Sequence, residues 1–163
     1  MASRKRIKMD NILIVDDDKF MCQSLSYLLK EEGYHVNTAF DGKDALSKLK
    51  KNKCDVIVID YNLSGLHGLT GLGVLEKVNQ INPSIRSIMI SAYGDNHVKS
   101  KARKIGVDGF LDKPFRLTKL LKTIGSSVKR KKTVSAPKTA QRSGVQLRRN
   151  VKVSSAKEIT DGR

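Results

Sequence analysis

The sequence predicts a doubly wound α/β fold, in which a parallel sheet lies between two layers of helices. Short aliphatic runs recur along the chain and end in polar residues, and segments with apolar residues at helical spacing separate them. One run and one helical segment together repeat five times, at roughly 20–25 residues per unit. Because crossovers between parallel strands are right-handed, the favoured strand order is the flavodoxin-like 2-1-3-4-5.

The central strand is predicted at residues 55–60. Four β-branched residues stand in a row here, Val56-Ile57-Val58-Ile59, between Asp55 and Asp60. Such a run is typical of a strand buried on both faces. In open parallel sheets, ligands bind at the carboxyl ends of the strands, where Asp60 would lie. Taken alone, Asp60 could equally begin an ordinary turn.

The first predicted strand, 11–15, also ends in acid, at Asp16-Asp17-Asp18. Asp18 is a suitable N-cap for the helix that follows, and Gly33 is a plausible residue to end it. The other predicted elements, in chain order, are a strand at 34–39, a turn at Asp41-Gly42, a helix to about Lys51, a helix from near Leu72 to Asn82, a strand at 85–90, a helix capped by Asp95 and ending at Ile105, a strand at 107–111 and a helix from Leu117 onward.

The charge of the chain divides it into three parts. The net charge is +16, but residues 10–125 hold 17 basic and 14 acidic side chains and are nearly balanced. Residues 1–9 form a basic arm, and residues 126–163 form a basic tail with too little apolar surface to fold, which we expect to be disordered. We see no transmembrane segment and no signal peptide, and we expect a soluble, cytoplasmic protein.

Cysteine and histidine do not predict a metal or redox site. Cys22 and Cys54 are isolated in apolar surroundings and are expected to be inert core thiols. The three histidines show no paired spacing typical of zinc ligands.

Polar residues follow four of the predicted strands and should meet at one edge of the sheet. Three carboxylates there would repel one another unless a cation joined them, and an all-oxygen ligand set suits Mg²⁺. An Asp carboxylate can attack phosphorus, while an ammonium and a hydroxyl can neutralise and orient phosphoryl oxygens. Each residue alone could be a cap, a turn or a solvated charge, but together they indicate phosphoryl transfer. These residues are Asp16, Asp17, Asp60, Ser91 and Lys113.

At this point the sequence resembles the receiver domain of two-component response regulators, in particular the chemotaxis-regulator-like members. The resemblance covers about residues 10–125. It rests on Ile-Val-Asp16-Asp17, Ile-Asp60-Tyr-Asn62, Ser91-Ala92 and Phe110-Leu-Asp-Lys113-Pro114.

The resemblance implies that Asp60 is the phosphoacceptor, supplied by a sensor histidine kinase or a histidine phosphotransfer protein. It implies a Mg²⁺ site made by Asp16, Asp17, Asp60 and the backbone carbonyl of Asn62. Such a protein is a stand-alone switch that phosphorylates and dephosphorylates itself, rather than a turnover enzyme.

The resemblance also implies how the switch works. Lys113 would pair with the phosphoryl group, Ser91 would sense it, and Phe110 would turn inward in response. The altered face, on the last two helices, would bind an unknown downstream protein. The segment 63–75 departs from the family, because it is Gly-rich and longer than usual and has Ser64 where proline is frequent; we expect it to be mobile.

Two further hypotheses remain open. One is a Mg²⁺-dependent phosphatase of the haloacid-dehalogenase type, with Asp16 as nucleophile and Asp18 as acid/base. It leaves Asp60 without a role. The other is that the basic arms contact nucleic acid or another anionic surface nonspecifically. The alternative for the arms is that they are only solvated and have no dedicated ligand.

Overall fold

The computed structural model of the chain describes residues 10–63, 69–92 and 96–129. Within them, five parallel strands alternate with five helices, and the strand order is β2-β1-β3-β4-β5, as predicted. The elements are β1 (Asn11–Val15), α1 (Lys19–Glu31), β2 (His35–Ala39), α2 (Gly42–Lys51), β3 (Val56–Asp60), α3 (Gly71–Ile81), β4 (Arg86–Ser91), α4 (Asn96–Ile105), β5 (Gly109–Asp112) and α5 (Leu117–Lys129).

The core lies on both faces of the sheet. Successive residues of a strand point to opposite faces, and β3 shows this clearly. Ile57 and Ile59 pack under α2, α3 and α4, whereas Val56 and Val58 pack under α1 and α5. All five residues of β3 are buried. The prediction of a central strand covered on both faces is therefore confirmed.

The strand register brings the carboxyl ends of the strands to one edge. Val15 pairs with Ile59, Asp60 pairs with Ile90, and Ser91 pairs with Asp112. Residues that directly follow β1, β3, β4 and β5 therefore lie side by side, although the chain separates them widely.

Helix ends agree with most of the sequence signals. Asp18 caps α1, accepting hydrogen bonds from the N–H groups of Phe20 (2.9 Å) and Met21 (3.0 Å). Gly33, just past the helix, has φ of +89°, a conformation that favours glycine. The helix α3 ends before Asn82-Pro83, as expected because the residue before a proline disfavours helical backbone.

The chain bends at Asp41 between β2 and α2, as the predicted turn at Asp41-Gly42 requires. Asp41 is the N-cap of α2 and accepts the N–H of Asp44 at 2.7 Å, and Gly42 is the first helical residue. A Cβ on Gly42 would lie 2.6 Å from Cγ2 of Val74 in α3, so glycine allows the two helices to approach closely. Asp-Gly is a strong turn signal, but Asp is equally favoured as an N-cap.

Some predictions concern residues outside the described part of the chain. They are the arm up to residue 9, the tail beyond Lys129, the loop residues Ser64, Gly65 and Gly68, and the helix cap at Asp95. The disordered tail is expected to begin at residue 126, but residues 126–129 form the end of α5, where Ser127 is buried and its hydroxyl donates to the carbonyl of Ile124. Among the described residues, we find no helix that combines the length and apolar character needed to cross a bilayer.

The two cysteines are free thiols. Cys22 is fully buried and its Sγ donates to the carbonyl of Asp16. Burial raises the pKa of Cys22 to about 11 and that of Cys54 to about 12, so both stay protonated at neutral pH. This fits their expected role as unreactive thiols.

Candidate functional site

Two buried carboxylates lie at the carboxyl edge of the sheet. Asp16 directly follows β1 and is 3% exposed, and Asp60 ends β3 and is 7% exposed. Buried carboxylates need partners, because an isolated charge is costly to remove from water. Asp16 Oδ1 accepts the N–H of Asp18 at 2.9 Å, and Asp60 Oδ1 accepts the N–H of Asn62 at 3.3 Å. The local backbone therefore orients both side chains.

Lys113 joins these carboxylates. Its Nζ lies 2.7 Å from Oδ2 of Asp60 and 3.0 Å from Oδ2 of Asp16. The position of Lys113 is set by the sheet, since its backbone N–H donates to the carbonyl of Ser91 at 2.8 Å, directly after β5 pairs with β4. One ammonium thus serves two carboxylates from different strands.

The electrostatics of the site follow from that sharing. Burial raises the pKa of Asp16 above its ordinary value of 3.8, and this outweighs the hydrogen bond from Asp18 and the attraction of Lys113. Burial alone would lower the pKa of Lys113, but the hydrogen bonds from Lys113 to Asp60 and Asp16 hold this pKa above its ordinary 10.5. The ammonium is firmly charged, and the site keeps an excess of negative charge.

A third carboxylate completes an oxygen ligand set. Carboxylate oxygens of Asp16, Asp17 and Asp60 all lie within 4.8 Å of one another, and Asp17 is exposed at the rim. A small divalent cation with metal–oxygen distances of about 2.1 Å holds ligands on opposite sides about 4 Å apart. The three carboxylates therefore fit Mg²⁺ in chemistry and in spacing.

The structure places the remaining predicted site residues as follows. Ser91 is fully buried at the end of β4, one position past the residue that pairs with Asp60. Asn62 is exposed two residues after Asp60, and its N–H contacts that carboxylate. Phe110 is half-buried in β5, and Nζ of Lys99 lies 5.3 Å from the centroid of its ring. Phe110 packs against the buried cluster under α2, α3 and α4.

One residue at the site was missed by sequence reasoning. Gly71, the first residue of α3, donates its N–H to the carbonyl of Tyr61 at 3.0 Å. A Cβ on Gly71 would fall on the carbonyl oxygen of Asp60. The backbone of α3 therefore packs directly against the backbone of Asp60, and only glycine permits this. In the sequence, nothing distinguishes Gly71 from the neighbouring glycines Gly65, Gly68 and Gly73.

Asp18, the acid/base of the phosphatase hypothesis, serves a different purpose here. Its Oδ1 accepts two backbone N–H groups of α1. Those bonds use one of the two carboxylate oxygens of Asp18 to hold the start of the helix. The geometry therefore favours a capping role for Asp18.

Comparison with known proteins gives a consistent result. The family "Response regulator receiver domain" matches residues 12–125. The chain is 31% identical over 121 residues to chemotaxis protein CheY of Treponema pallidum, covering 72% of this chain and 82% of that protein. It is 29% identical to the transcriptional regulatory protein CutR of Streptomyces coelicolor, covering 83% of this chain but 61% of CutR. The chain thus spans only about three fifths of the length of that relative.

A solved structure shows the same architecture. Response regulator protein TrrA of Thermotoga maritima, in complex with Mg²⁺ and BeF, superposes with a TM-score of 0.64 and 28% identity, covering 72% of this chain and 97% of TrrA. The matched family, the shared fold and the acidic edge of the sheet agree. The chain belongs to the response regulator receiver domains of two-component systems.

Proposed function

We propose that Asp60 accepts a phosphoryl group from a sensor histidine kinase or a histidine phosphotransfer protein. The observation that carries the proposal is the placement of the Asp60 carboxylate. It is buried at the end of the central strand, its Oδ2 lies 2.7 Å from an ammonium, and it shares an oxygen cluster with Asp16 and Asp17. An ordinary turn residue needs none of these features.

The transfer itself is a substitution at phosphorus. A carboxylate oxygen of Asp60 forms a bond to phosphorus while the bond from phosphorus to the donor histidine nitrogen breaks, and the electron pair leaves with the imidazole. Lys113 already contacts Oδ2 of Asp60, so its ammonium is placed to pair with the incoming phosphoryl oxygens. The hydroxyl of Ser91 would donate to another phosphoryl oxygen.

The proposed cofactor is Mg²⁺. The side chains of Asp16, Asp17 and Asp60 would hold it, with the backbone carbonyl of Asn62. When bound, Mg²⁺ neutralises charge on the transferring phosphoryl group. The spacing of the three carboxylates supports this choice, as does the complex of the relative TrrA with Mg²⁺ and BeF.

The output is proposed to be a protein-binding face on α4, β5 and α5. Ser91 would be drawn toward the phosphate and Phe110 would turn inward, changing that face for a downstream protein. The same proposal makes the chain a stand-alone, cytoplasmic switch that removes its own phosphate and is not a turnover enzyme. The basic segments 1–9 and 126–163 would add nonspecific contact with nucleic acid or another anionic surface through their charge.

Mass spectrometry of the intact protein tests this function. With acetyl phosphate and Mg²⁺, the chain should gain about 80 Da, the mass of one phosphoryl group. Asp60→Asn should abolish the gain, and omission of Mg²⁺ should strongly reduce it. Asp112→Asn, at the exposed end of β5 on the same sheet edge, is the matched control and should be labelled like the wild type.

Two results would contradict the proposal. One is the absence of any adduct on the wild-type chain. The other is labelling that survives Asp60→Asn but is lost with Asp16→Asn, which is the pattern that the phosphatase hypothesis predicts.

A further inference from the structure

The helices α4 and α5 differ in charge from the other three helices. Each of α1, α2 and α3 contains at least one acidic residue, whereas α4 and α5 contain none. Their basic residues are Lys99, Lys101, Arg103 and Lys104 in α4, and Lys119, Lys122 and Lys129 in α5. In the two helices that flank the edge strand β5, every Asp, Glu, Lys or Arg position is therefore Lys or Arg.

Contacts show which of these residues share one face. Nζ of Lys99 lies over the ring of Phe110 and pairs with Asp112 at 3.0 Å, so this side of α4 faces β5. Arg103 follows Lys99 by four residues and lies on the same side of the helix. The charge of Asp112, the exposed acid at the end of β5, is thus already matched by Lys99.

The helix α5 borders β5 from the opposite layer. A Cβ on Gly109 in β5 would collide with Cγ2 of Thr123, so Thr123 faces the strand. Lys119 precedes Thr123 by one turn and is exposed on that side. Together, α4, β5 and α5 form one continuous surface, which we call the cationic face.

The lysines of α5 extend the cationic face along the helix. Lys119, Lys122, Ser126 and Lys129 are all exposed and follow one another at intervals of three, four and three residues. Such residues form a row on one side of a helix. At about 1.5 Å per residue the row is about 15 Å long, which is the length of several phosphates along a nucleic-acid strand.

The residue types indicate what kind of partner fits. Protein interfaces use aromatic and aliphatic anchors at their centres. The large apolar residues exposed in the described chain are Phe20, Tyr27, Leu28, Ile81 and Val128, and only Val128 lies on α4 or α5. Contacts to phosphates need no apolar anchor and are made by Lys, Arg, Ser and Thr. The exposed side chains of Ser100, Thr118 and Ser126 supply such hydroxyl donors.

We propose that the cationic face binds the phosphate backbone of a nucleic-acid duplex. A duplex fits better than a single strand, because neither helix contains Phe, Tyr or Trp, the large aromatic side chains on which unpaired bases stack. The inference goes beyond the proposed function, because it gives nucleic acid as a second ligand of the face on which a downstream protein is proposed to bind, and it does not depend on phosphorylation of Asp60. It concerns a surface of the folded domain, to which the basic segments 1–9 and 130–163 would add charge.

Fluorescence anisotropy of the full chain with a labelled DNA duplex of mixed sequence tests the proposal. The triple variant Arg103→Gln/Lys119→Gln/Lys122→Gln should weaken binding at least about tenfold and reduce the slope of log affinity against log salt by about 2–3. All three residues are exposed, so the fold should be unaffected. The variant removes charge from both helices of the face.

A matched control removes the same charge elsewhere. In Lys43→Gln/Lys51→Gln/Lys77→Gln, three exposed lysines of α2 and α3 are changed, and duplex affinity should stay within about twofold of the wild type. Equal losses in the two triple variants, or no loss in the first, would overturn the proposal. The proposal would also be overturned if poly-L-glutamate or phosphatidylserine vesicles displaced the labelled duplex from the wild-type chain as well as unlabelled duplex does.

The two proposals fail separately. Both triple variants keep Asp60, Lys113 and the acidic cluster, so acetyl phosphate should label them like the wild type. If acetyl phosphate does not label the wild type, the proposed function is contradicted. If the two triple variants bind duplex equally well, the proposal for the cationic face is contradicted.

Discussion

The Nζ atom of Lys113 lies 2.7 Å from Oδ2 of Asp60, although 53 residues separate them in the chain. The same ammonium is 3.0 Å from Oδ2 of Asp16. One positive charge is therefore divided between two buried carboxylates, with Asp17 close by. The edge of the sheet therefore carries more negative than positive charge. We expect the stability of the domain to depend on the Lys113 ammonium and on added Mg²⁺.

Removing the shared ammonium should destabilise the chain. In Lys113→Met, two adjacent carboxylates lose their partner, and we expect the free energy of unfolding to fall by about 1–3 kcal/mol without Mg²⁺ at pH 7. Adding Mg²⁺ should narrow the difference from the wild type, because the folded variant has no ammonium among the carboxylates and should bind the cation more tightly. Urea denaturation with and without Mg²⁺ measures both effects.

Lys99→Met is the control for that experiment. Lys99 also pairs with a carboxylate, but its partner Asp112 is 52% exposed, so the cost should stay below about 1 kcal/mol. Similar losses in the two variants, or a gap in Lys113→Met that Mg²⁺ leaves unchanged, would show that the shared ammonium does not balance the site.

The raised pKa of Asp16 predicts a pH dependence of stability. Because the folded chain binds this proton more tightly than the unfolded chain, the associated stability is fully present below pH 3.8 and is lost as the pH rises through the folded-state pKa. Asp16→Asn cannot ionise and should escape that loss. In Mg²⁺-free buffer, its stability relative to the wild type should therefore increase from about pH 4 to about pH 7.

Urea midpoints of both proteins across that interval, with EDTA present, test the sign. A stability difference that stays constant with pH would mean that the ionisation of Asp16 costs nothing in the folded chain. Adding Mg²⁺ at pH 7 should stabilise the wild type more than Asp16→Asn, since the variant lacks one carboxylate ligand.

Gly71 should tolerate no side chain. Gly71→Ala places a methyl group on the carbonyl oxygen of Asp60, so either the start of α3 or the end of β3 must move. We expect a loss of about 1–3 kcal/mol and slower labelling by acetyl phosphate. Gly73→Ala, two residues later in the same helix, meets only ordinary contacts at 3.6 Å and should be neutral or slightly stabilising. Equal behaviour of the two variants would contradict the close approach at Asp60.

Asp108, directly before β5, and Asp112, the last residue of β5, should differ in their effect on stability. Asp108 pairs with Arg86 at 3.3 Å and also accepts the N–H of Ser87, and the two charged side chains are only 9% and 11% exposed. Asp108→Ala should cost about 3–5 kcal/mol, because it leaves a buried guanidinium without its partner. Asp112→Ala breaks an exposed pair and should cost less than about 1 kcal/mol. Thermal or urea unfolding distinguishes the two; comparable losses would argue against the buried pair.

The sequence predicts the sheet well because its central strands are continuous aliphatic runs that end in polar residues. Four β-branched residues in a row can hardly be anything but a buried strand, and the βα alternation then restricts the strand order. Once the order is known, Asp16, Asp60 and Lys113 must arrive at one edge. The structure adds what no pattern contains, namely that Lys113 contacts both carboxylates at hydrogen-bond distance.

Features that depend on exact distances between distant segments could not be predicted. Gly71 is one of four closely spaced glycines in the sequence. Only the packing of α3 against β3 shows that this position requires glycine. Arg86 lies in a strand whose other residues are mostly apolar, so its burial beside Asp108 has no local signal. The need for glycine at position 42 has no local signal for a related reason, because the contact with Val74 is made across two helices.

The hydrogen bond from Gly71 to Tyr61 has a consequence for how such a domain can diverge. It ties together the two ends of the connection between β3 and α3, at Tyr61 and Gly71. The entropic cost of lengthening a closed loop grows only slowly with its length. Insertions and deletions there leave Asp60 and α3 in place, and relatives can therefore evolve different loops beside one unchanged carboxylate.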